Sequence, residues 1–198
     1  MKPFALVVLF LAVLTGCAST GGQSESSRDT AAYLAPDLRL DLPDPAAMGR
    51  SIEAVQMVTA HRGNDTVVFE AHLSITPDRV LLVGVDATGQ RLMTVTWRGN
   101  NISVDRSPML PKEVRPGAML ADLVALYWPV DVVRQALKAS GASLAVDAAS
   151  RTVSLQGKPV LMATYQRGAA DPWNGGGLHY RNLAWGYDID VVTLQVSK

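Results

Sequence analysis

Few side chains in this sequence have the types and spacing that chemistry needs. Cys17 is the single cysteine of the chain, so an internal disulfide and a thiolate metal cluster are both excluded. It directly follows Leu14-Thr15-Gly16. Small residues ahead of a thiol let the peptide enter a processing site, and the thiol is the nucleophile that takes up a lipid group. Three scattered histidines, His61, His72 and His179, argue against a multi-histidine metal site. His179, Asp188 and Asp190 fall on one expected hairpin, and a histidine held by a carboxylate is a general base. No nucleophile or metal ligand accompanies them in the sequence. Asp86-Ala87-Thr88-Gly89 supplies one carboxylate where acid–base work would need two sharing a proton, so it reads as a turn. The sequence has no GxSxG elbow, HExxH, CxxC or Walker loop. No catalytic residue, metal or cofactor is expected, and the chain is read as not an enzyme. A hydrolase would need a nucleophile and a base within reach of each other, and the sequence offers no such pair.

The setting of Cys17 makes its thiol meaningful. Met1-Lys2-Pro3 is a short positive start, and Phe4 to Leu14 is an apolar run too short to cross a bilayer as an ordinary helix. Together they have the build of a secretory signal peptide. The junction at Cys17 resembles the bacterial lipoprotein signal box, in which the cysteine receives a diacylglyceryl group and becomes the first mature residue. Ala18 rather than an aspartate follows it. Within that resemblance this implies sorting to the outer membrane, with the fold in the periplasm. More than one acyl chain on Cys17 would give stable anchoring, where a single chain binds only marginally.

Composition narrows the rest. Lys plus Arg and Asp plus Glu are 18 each, and no basic stripe breaks the balance, so nucleic acid is not an expected partner. Hydrophobic residues make up 48%, which with the length fits one folded domain and not a multi-span membrane protein. The sequence divides into a signal peptide over 1–16, a lipidated N-terminus and flexible tether over 17–47, and a domain over 48–198. Thr20 to Thr30 is rich in Gly and Ser and has little to bury. Ala31-Ala32-Tyr33-Leu34 reads as a short helical turn docking on the domain, and Pro36, Pro43 and Pro45 keep the next stretch extended.

The domain itself reads as strands, then helices, then strands. Val67, Phe69, Ala71, Leu73 and Ile75 alternate with Thr66, Glu70, His72 and Ser74, the period of a strand with one face on a core. Tight turns at Arg62–Asp65, Pro77-Asp78, Asp86–Gly89 and Arg98–Asn101 link five short strands into an antiparallel meander ending at Val104. Gly117 to Tyr127 carries a broad apolar stripe at helical spacing. Trp128-Pro129 breaks it, and a second helix runs from Val130 to Ala139, ended by Ser140-Gly141. Strands return from Ser143. Gly168 to Gly177, with several glycines and Trp173, reads as a loop whose tryptophan either meets a membrane, ligand or partner or packs back on the domain. On the last strand apolar residues occupy both faces, which suggests a strongly curved or partly enclosed sheet.

From about Met48 onward the chain resembles the bacterial lipoproteins grouped as domain of unknown function 3261, which are in turn similar to the outer-membrane lipoprotein receptor LolB. The residues that carry the resemblance are Gln90-Arg91-Leu92-Met93-Thr94-Val95-Thr96-Trp97, Pro108-Met109-Leu110-Pro111, and Met119-Leu120-Ala121-Asp122-Leu123 leading to Tyr127-Trp128-Pro129. It implies a mainly β, α+β fold: a curved, unclosed antiparallel β-barrel of the LolA/LolB type with helices covering the open side. It also implies lipid or lipoprotein handling, and an association with gene clusters for aryl polyenes, which are fatty-acid-like pigments. LolB uses an exposed leucine on a loop between early strands. The loops Arg62–Asp65 and Thr76–Arg79 hold no leucine, so that mechanism does not carry over.

The residues add their own expectation. A sheet that curls around an acyl chain needs an apolar inner wall. Phe69, Leu73, Leu82, Met93, Val95 and Trp97 are the wall candidates, and Met119, Leu120, Leu123, Tyr127 and Trp128 the lid candidates. Ordinary core packing would produce the same rows. The leading expectation is an outer-membrane lipoprotein that binds an acyl chain or lipidated cargo, such as a palmitate-like chain, in an apolar cavity and helps deliver it to the membrane. Its partners would be outer-membrane lipids through acylated Cys17, a lipid or lipoprotein cargo, and a periplasmic carrier protein. The alternative is a structural or scaffolding envelope lipoprotein with a filled core and a protein partner.

Overall fold

A computed structural model describes residues 30–198. The expected signal peptide, Cys17 and the first part of the expected tether, up to residue 29, lie outside the described residues.

Ten strands form one antiparallel sheet in the order β7-β6-β5-β4-β3-β12-β11-β10-β9-β8. The first meander is β3 (Ile52–Arg62), β4 (Asp65–Thr76), β5 (Arg79–Val85), β6 (Arg91–Arg98) and β7 (Asn101–Arg106). The second is β8 (Ala142–Val146), β9 (Ser150–Leu155), β10 (Lys158–Tyr165), β11 (Gly176–Asn182) and β12 (Tyr187–Ser197). They meet where β12 pairs with β3, Val191 opposite Val58. Between them in sequence lie α1 (Pro116–Tyr127) and α2 (Val130–Lys138). Ahead of them a two-stranded ribbon, β1 (Tyr33–Ala35) and β2 (Leu38–Arg39), and a 3-10 turn at Pro45–Met48 complete the described chain.

The alternation read from Val67 to Ile75 holds in β4, where Phe69, Ala71, Leu73 and Ile75 are buried and His72 is exposed. Across the ladder Leu73 sits opposite Ala54 on β3 and Leu82 on β5, so one face of the sheet is a continuous apolar surface. The α1 helix lies on this inner face. Its sequence, PGAMLADLVALY, is apolar all round, and eleven of its twelve residues are buried, as expected of a helix enclosed on every side. Pro116 opens it at a first-turn position, where the missing N–H costs nothing. The α2 helix is amphipathic and buries only Val133, Ala136 and Leu137. It ends at Ser140-Gly141, Gly141 taking the left-handed φ of 70°.

Two expectations are corrected here. The fold is not a curved, unclosed β-barrel with helices over its mouth. It is a mixed α/β fold with a large antiparallel sheet that is neither closed into a barrel nor strongly curled. Closure would require the edge strands to approach and pair. Here β7 and β8 end the sheet on opposite sides, with both helices between them in the chain. A helix about 10 Å across laid on the inner face also needs an open seat rather than a tight curl. The mixed faces of the last strand have another origin as well. Val192 and Leu194 share the solvent face by plain alternation, and a register shift between Thr193 and Gln195 on β12 then turns Val196 to the inner face opposite Ala54, in a sheet that stays open.

The packed unit also starts before Met48. Ala32, Leu34, Ala35, Leu38 and Leu40 are all buried, and the stretch expected to dock as a helical turn docks instead as the β1–β2 ribbon. It crosses the first turn of α1 so closely that a Cβ on Gly117 would stand 2.4 Å from the Ala31 carbonyl oxygen.

Candidate functional site

The inner face has two chemically distinct halves, and α1 spans both. On the β4–β6 half lie the wall candidates Phe69, Leu73, Leu82, Met93, Val95 and Trp97, all buried. Above them Leu120, Leu123, Tyr127 and Trp128 are buried too, and Met119 is half-buried against the same core. The structure thus places all eleven candidates in one cluster. Trp97, Leu120 and Trp128 have no exposed surface at all. A side chain that no water-sized sphere can touch borders no space that would hold a water, so none of the three borders an open cavity. Trp128 closes on Trp97 with ring centroids 5.7 Å apart. Two surface grooves lie elsewhere. One, of about 420 Å³, runs along the outer face past Val55, His72, Leu81 and Val83, with Leu73 at its floor. The other, of about 770 Å³, lies between Pro43 and the Val132–Ala136 side of α2.

On the β9–β12 half the inner face sets polar groups among buried apolar residues such as Val153, Leu161 and Leu178, and part of the reason lies at Pro129. A proline has no N–H to close the last turn of α1, so the carbonyls there need other donors. Arg151 on β9 supplies them. Its Nη1 donates to the carbonyls of Trp128 at 2.9 Å and Ala125 at 3.3 Å, and its Nη2 to that of Ala169 at 3.1 Å. A cation at a helix C-terminus is also favoured by the aligned peptide dipoles. Burial lowers the Arg151 pKa, and its Nε has no partner. Tyr165 on β10 donates its hydroxyl to the Leu126 carbonyl at 2.7 Å, and burial raises its pKa. Gln56 on β3 donates to the Tyr127 hydroxyl at 3.1 Å.

Nearer the start of α1 sits Asp122, the only charged residue of the helix and 2% exposed. Asn182 on β11 donates to its Oδ1 at 3.3 Å and the Tyr187 hydroxyl donates to its Oδ2, while the Tyr180 hydroxyl also favours the charged form. Burial outweighs these bonds and pushes its pKa up to about 7. Among the described residues, the side-chain hydrogen bonds between α1 and the sheet all run to β3 and β9–β12.

The remaining candidates from the sequence resolve as follows. His179 and Asp190 do meet, Nδ1 to Oδ1 at 2.9 Å, and His61 approaches the same carboxylate at 3.9 Å. They stand about half exposed on the outer face of the sheet, while Asp188 pairs with Arg181 instead. The Asp86 carboxylate accepts from the Thr88 and Gln90 amides and the Thr88 hydroxyl, so it closes a turn. Trp173 is not a free loop residue. It is 1% exposed and packs on Tyr127 with ring centroids 4.4 Å apart. Among the described residues no group of three or more histidine, cysteine or carboxylate side chains is arranged to hold a metal. Sequence reasoning missed Gln56, Asp122, Arg151 and Asn182. The one visible signal was Asp122, a lone carboxylate inside an otherwise apolar helix.

The model of a family described as "Protein of unknown function (DUF3261)" matches residues 53–195. No curated protein matches the chain. Among solved structures, the chain is distantly similar to a LolA superfamily protein from Nitrosomonas europaea, at 8% identity and a TM-score of 0.43, covering 87% of this chain and 90% of that one. It is also similar to a DUF1329 family protein from Desulfovibrio piger, at 4% identity and a TM-score of 0.32, covering 77% and 89%. A third is a domain assigned to outer membrane lipoprotein sorting from Vibrio parahaemolyticus, at 7% identity and a TM-score of 0.33, covering 74% and 84%.

Proposed function

The chain belongs to the DUF3261 family, and from that premise we propose that it is an outer-membrane lipoprotein, anchored through acylated Cys17 and facing the periplasm, that binds an acyl chain or lipidated cargo and helps deliver it to the membrane. One observation carries the reading: the polar bonds of α1 are confined to one half of the inner face. The other half, lined by Phe69, Leu73, Leu82, Met93, Val95 and Trp97, meets the helix through apolar contact alone. An acyl chain entering there replaces one apolar neighbour by another, and α1 pivots on its bonds to β3 and β9–β12 without breaking them. Met93 and Met119 supply flexible thioether side chains that adapt to an irregular occupant. Each methylene taken from water contributes about 0.8 kcal/mol. The cargo would come from a periplasmic carrier and go to outer-membrane lipid.

A second reading, a scaffolding envelope lipoprotein with a protein partner and no lipid cavity, is favoured by the complete burial of Trp97, Leu120 and Trp128 and by the Trp97–Trp128 contact. One experiment separates the two. The Cys17→Ser chain, purified from the envelope of its native host, is extracted for lipid and analysed by mass spectrometry, then titrated with a fluorescent fatty acid. The carrier reading expects a co-purifying acyl species and saturable uptake of the probe. Empty extracts together with no uptake would sink it and leave the scaffold.

A further inference from the structure

We propose that the buried junction around Asp122 and Asn182 is a protonation-controlled clasp, which fastens the N-terminal strap (residues 31–40, carrying β1 and β2) to α1 and to the β11–β12 hairpin while the carboxyl is neutral and loosens it when the carboxyl ionises. The inference stands on geometry that does not depend on what the domain carries.

Asn182 is fully buried and is the hub of the junction. Its side-chain amide donates to the Leu34 carbonyl of the strap at 3.0 Å and to Asp122 of α1 at 3.3 Å. Its carbonyl oxygen accepts from the Trp185 amide at 3.0 Å, which fixes the hairpin turn. The Trp185 ring nitrogen then donates to the Tyr33 carbonyl at 3.4 Å, and the Arg115 guanidinium at the start of α1 covers the same ring at 4.0 Å. Strap, helix and hairpin are therefore tied by one small set of side chains. The set sits where the chain emerges from the expected tether, with Ala31 pressed against Gly117.

The groups facing the Asp122 carboxyl are Tyr180 and Asn182 from β11 and Tyr187 from β12, while the strap contributes only the Leu34 carbonyl through Asn182. Tyr127, on the same helix, acts on Tyr180 rather than on the carboxyl. No lysine or arginine is among the groups acting on Asp122. Ionisation therefore places a charge in a buried site with hydroxyl and amide donors but no cation, beside a carbonyl of the strap. Burial raises the Asp122 pKa from 3.8 to about 7, so the closed junction binds the proton more tightly than an open one would. Its contribution is complete below the pKa of the open form and is lost as pH rises through the closed value.

Amide hydrogen exchange on the whole chain with Cys17→Ser tests this, read at the Leu40 amide, which bonds to the Ala32 carbonyl, and across residues 31–40. With the intrinsic rate divided out, protection of these amides is expected to fall about tenfold between pH 6 and pH 8.5, while that of central β3 amides stays level. Asp122→Asn is expected to abolish the pH dependence. Tyr187→Phe removes a donor that lowers the carboxyl pKa, and is expected to move the transition to higher pH. Equal strap protection at both pH values in the unaltered Asp122 chain would overturn the clasp. So would wild-type pH dependence in Asp122→Asn or, should that variant fail to fold, an unmoved transition in Tyr187→Phe.

Discussion

Replacing Arg151 by alanine tests whether the end of α1 is held as the structure describes. The side chain is 1% exposed and places its guanidinium among three carbonyls, those of Ala125, Trp128 and Ala169, with no carboxylate partner. Hydrogen bonds from a charged donor are worth about 1.5–3 kcal/mol each, and each buried acceptor left without a donor costs about 1–3 kcal/mol. Against that, the variant no longer buries a cation, a saving of several kcal/mol. Three carbonyls left without a donor, offset by the cation no longer buried, leave an expected net loss of about 3 kcal/mol. Urea unfolding followed by tryptophan fluorescence and by circular dichroism reads it. The midpoint should fall with the slope unchanged, since the surface exposed on unfolding is nearly the same. Arg151→Lys keeps the charge, but one nitrogen cannot reach all three carbonyls, so about half the loss is expected to remain. A loss under about 1 kcal/mol in Arg151→Ala, with the slope unchanged, would show that those carbonyls do not need the guanidinium. The account of how α1 is anchored would then fail.

Gly117→Ala puts a methyl group against the Ala31 backbone, which has no flexible end to yield, so the strap must shift. A loss of about 1–3 kcal/mol is expected, with faster proteolysis within residues 30–40, and wild-type stability with wild-type cleavage would refute the close crossing. Cys17→Ser is expected to abolish incorporation of labelled palmitate and to move the chain from the membrane fraction to the soluble one. A variant still labelled and sedimenting with membranes would remove the acyl anchor from the argument.

The elements were largely legible from periodicity, because burial on one face writes itself into the sequence. Phe69, Ala71, Leu73 and Ile75 announced β4, and the α1 and α2 helices begin and end within a residue or two of Gly117, Tyr127, Val130 and Ala139. The shape of the sheet was not legible. Apolar residues on both faces of the last strand look the same whether the sheet curls or one extra residue at a bulge resets the pattern, and the choice is made by pairing with β3, a partner distant in sequence. The candidate wall and lid could be named but not their separation, since an apolar row facing a helix and an apolar row facing a cavity have the same composition. Arg151 was invisible for a related reason. On a short strand it reads as a solvent-facing charge, and the acceptors it fills come from distant chain: the Ala125 carbonyl, which Pro129 has no N–H to satisfy, and those of Trp128 and Ala169. Trp173 stayed open between an outside partner and packing back on the domain, because Tyr127, the ring it packs on, lies at the end of α1, far away in sequence.

The polarity split of the inner face also decides which way the domain could open. Fourteen methylenes entering from water gain about 11 kcal/mol in gross burial. The helix already covers the same wall with apolar surface, so exchanging one cover for the other is nearly neutral area for area, and the polar contacts set the balance. Parting α1 from the β9–β12 side gives up the three bonds of Arg151, that of Tyr165 and those of Asp122, and leaves buried carbonyls and a buried carboxyl without partners. Parting it from the β4–β6 side gives up the Trp97–Trp128 contact and apolar packing, which an acyl chain restores. Under the carrier reading, β3 and β9–β12 would therefore be the hinge and the Met93–Trp97 strand the entrance. The clasp at Asp122 lies on the hinge side, so loosening it would free the strap without itself clearing the apolar wall.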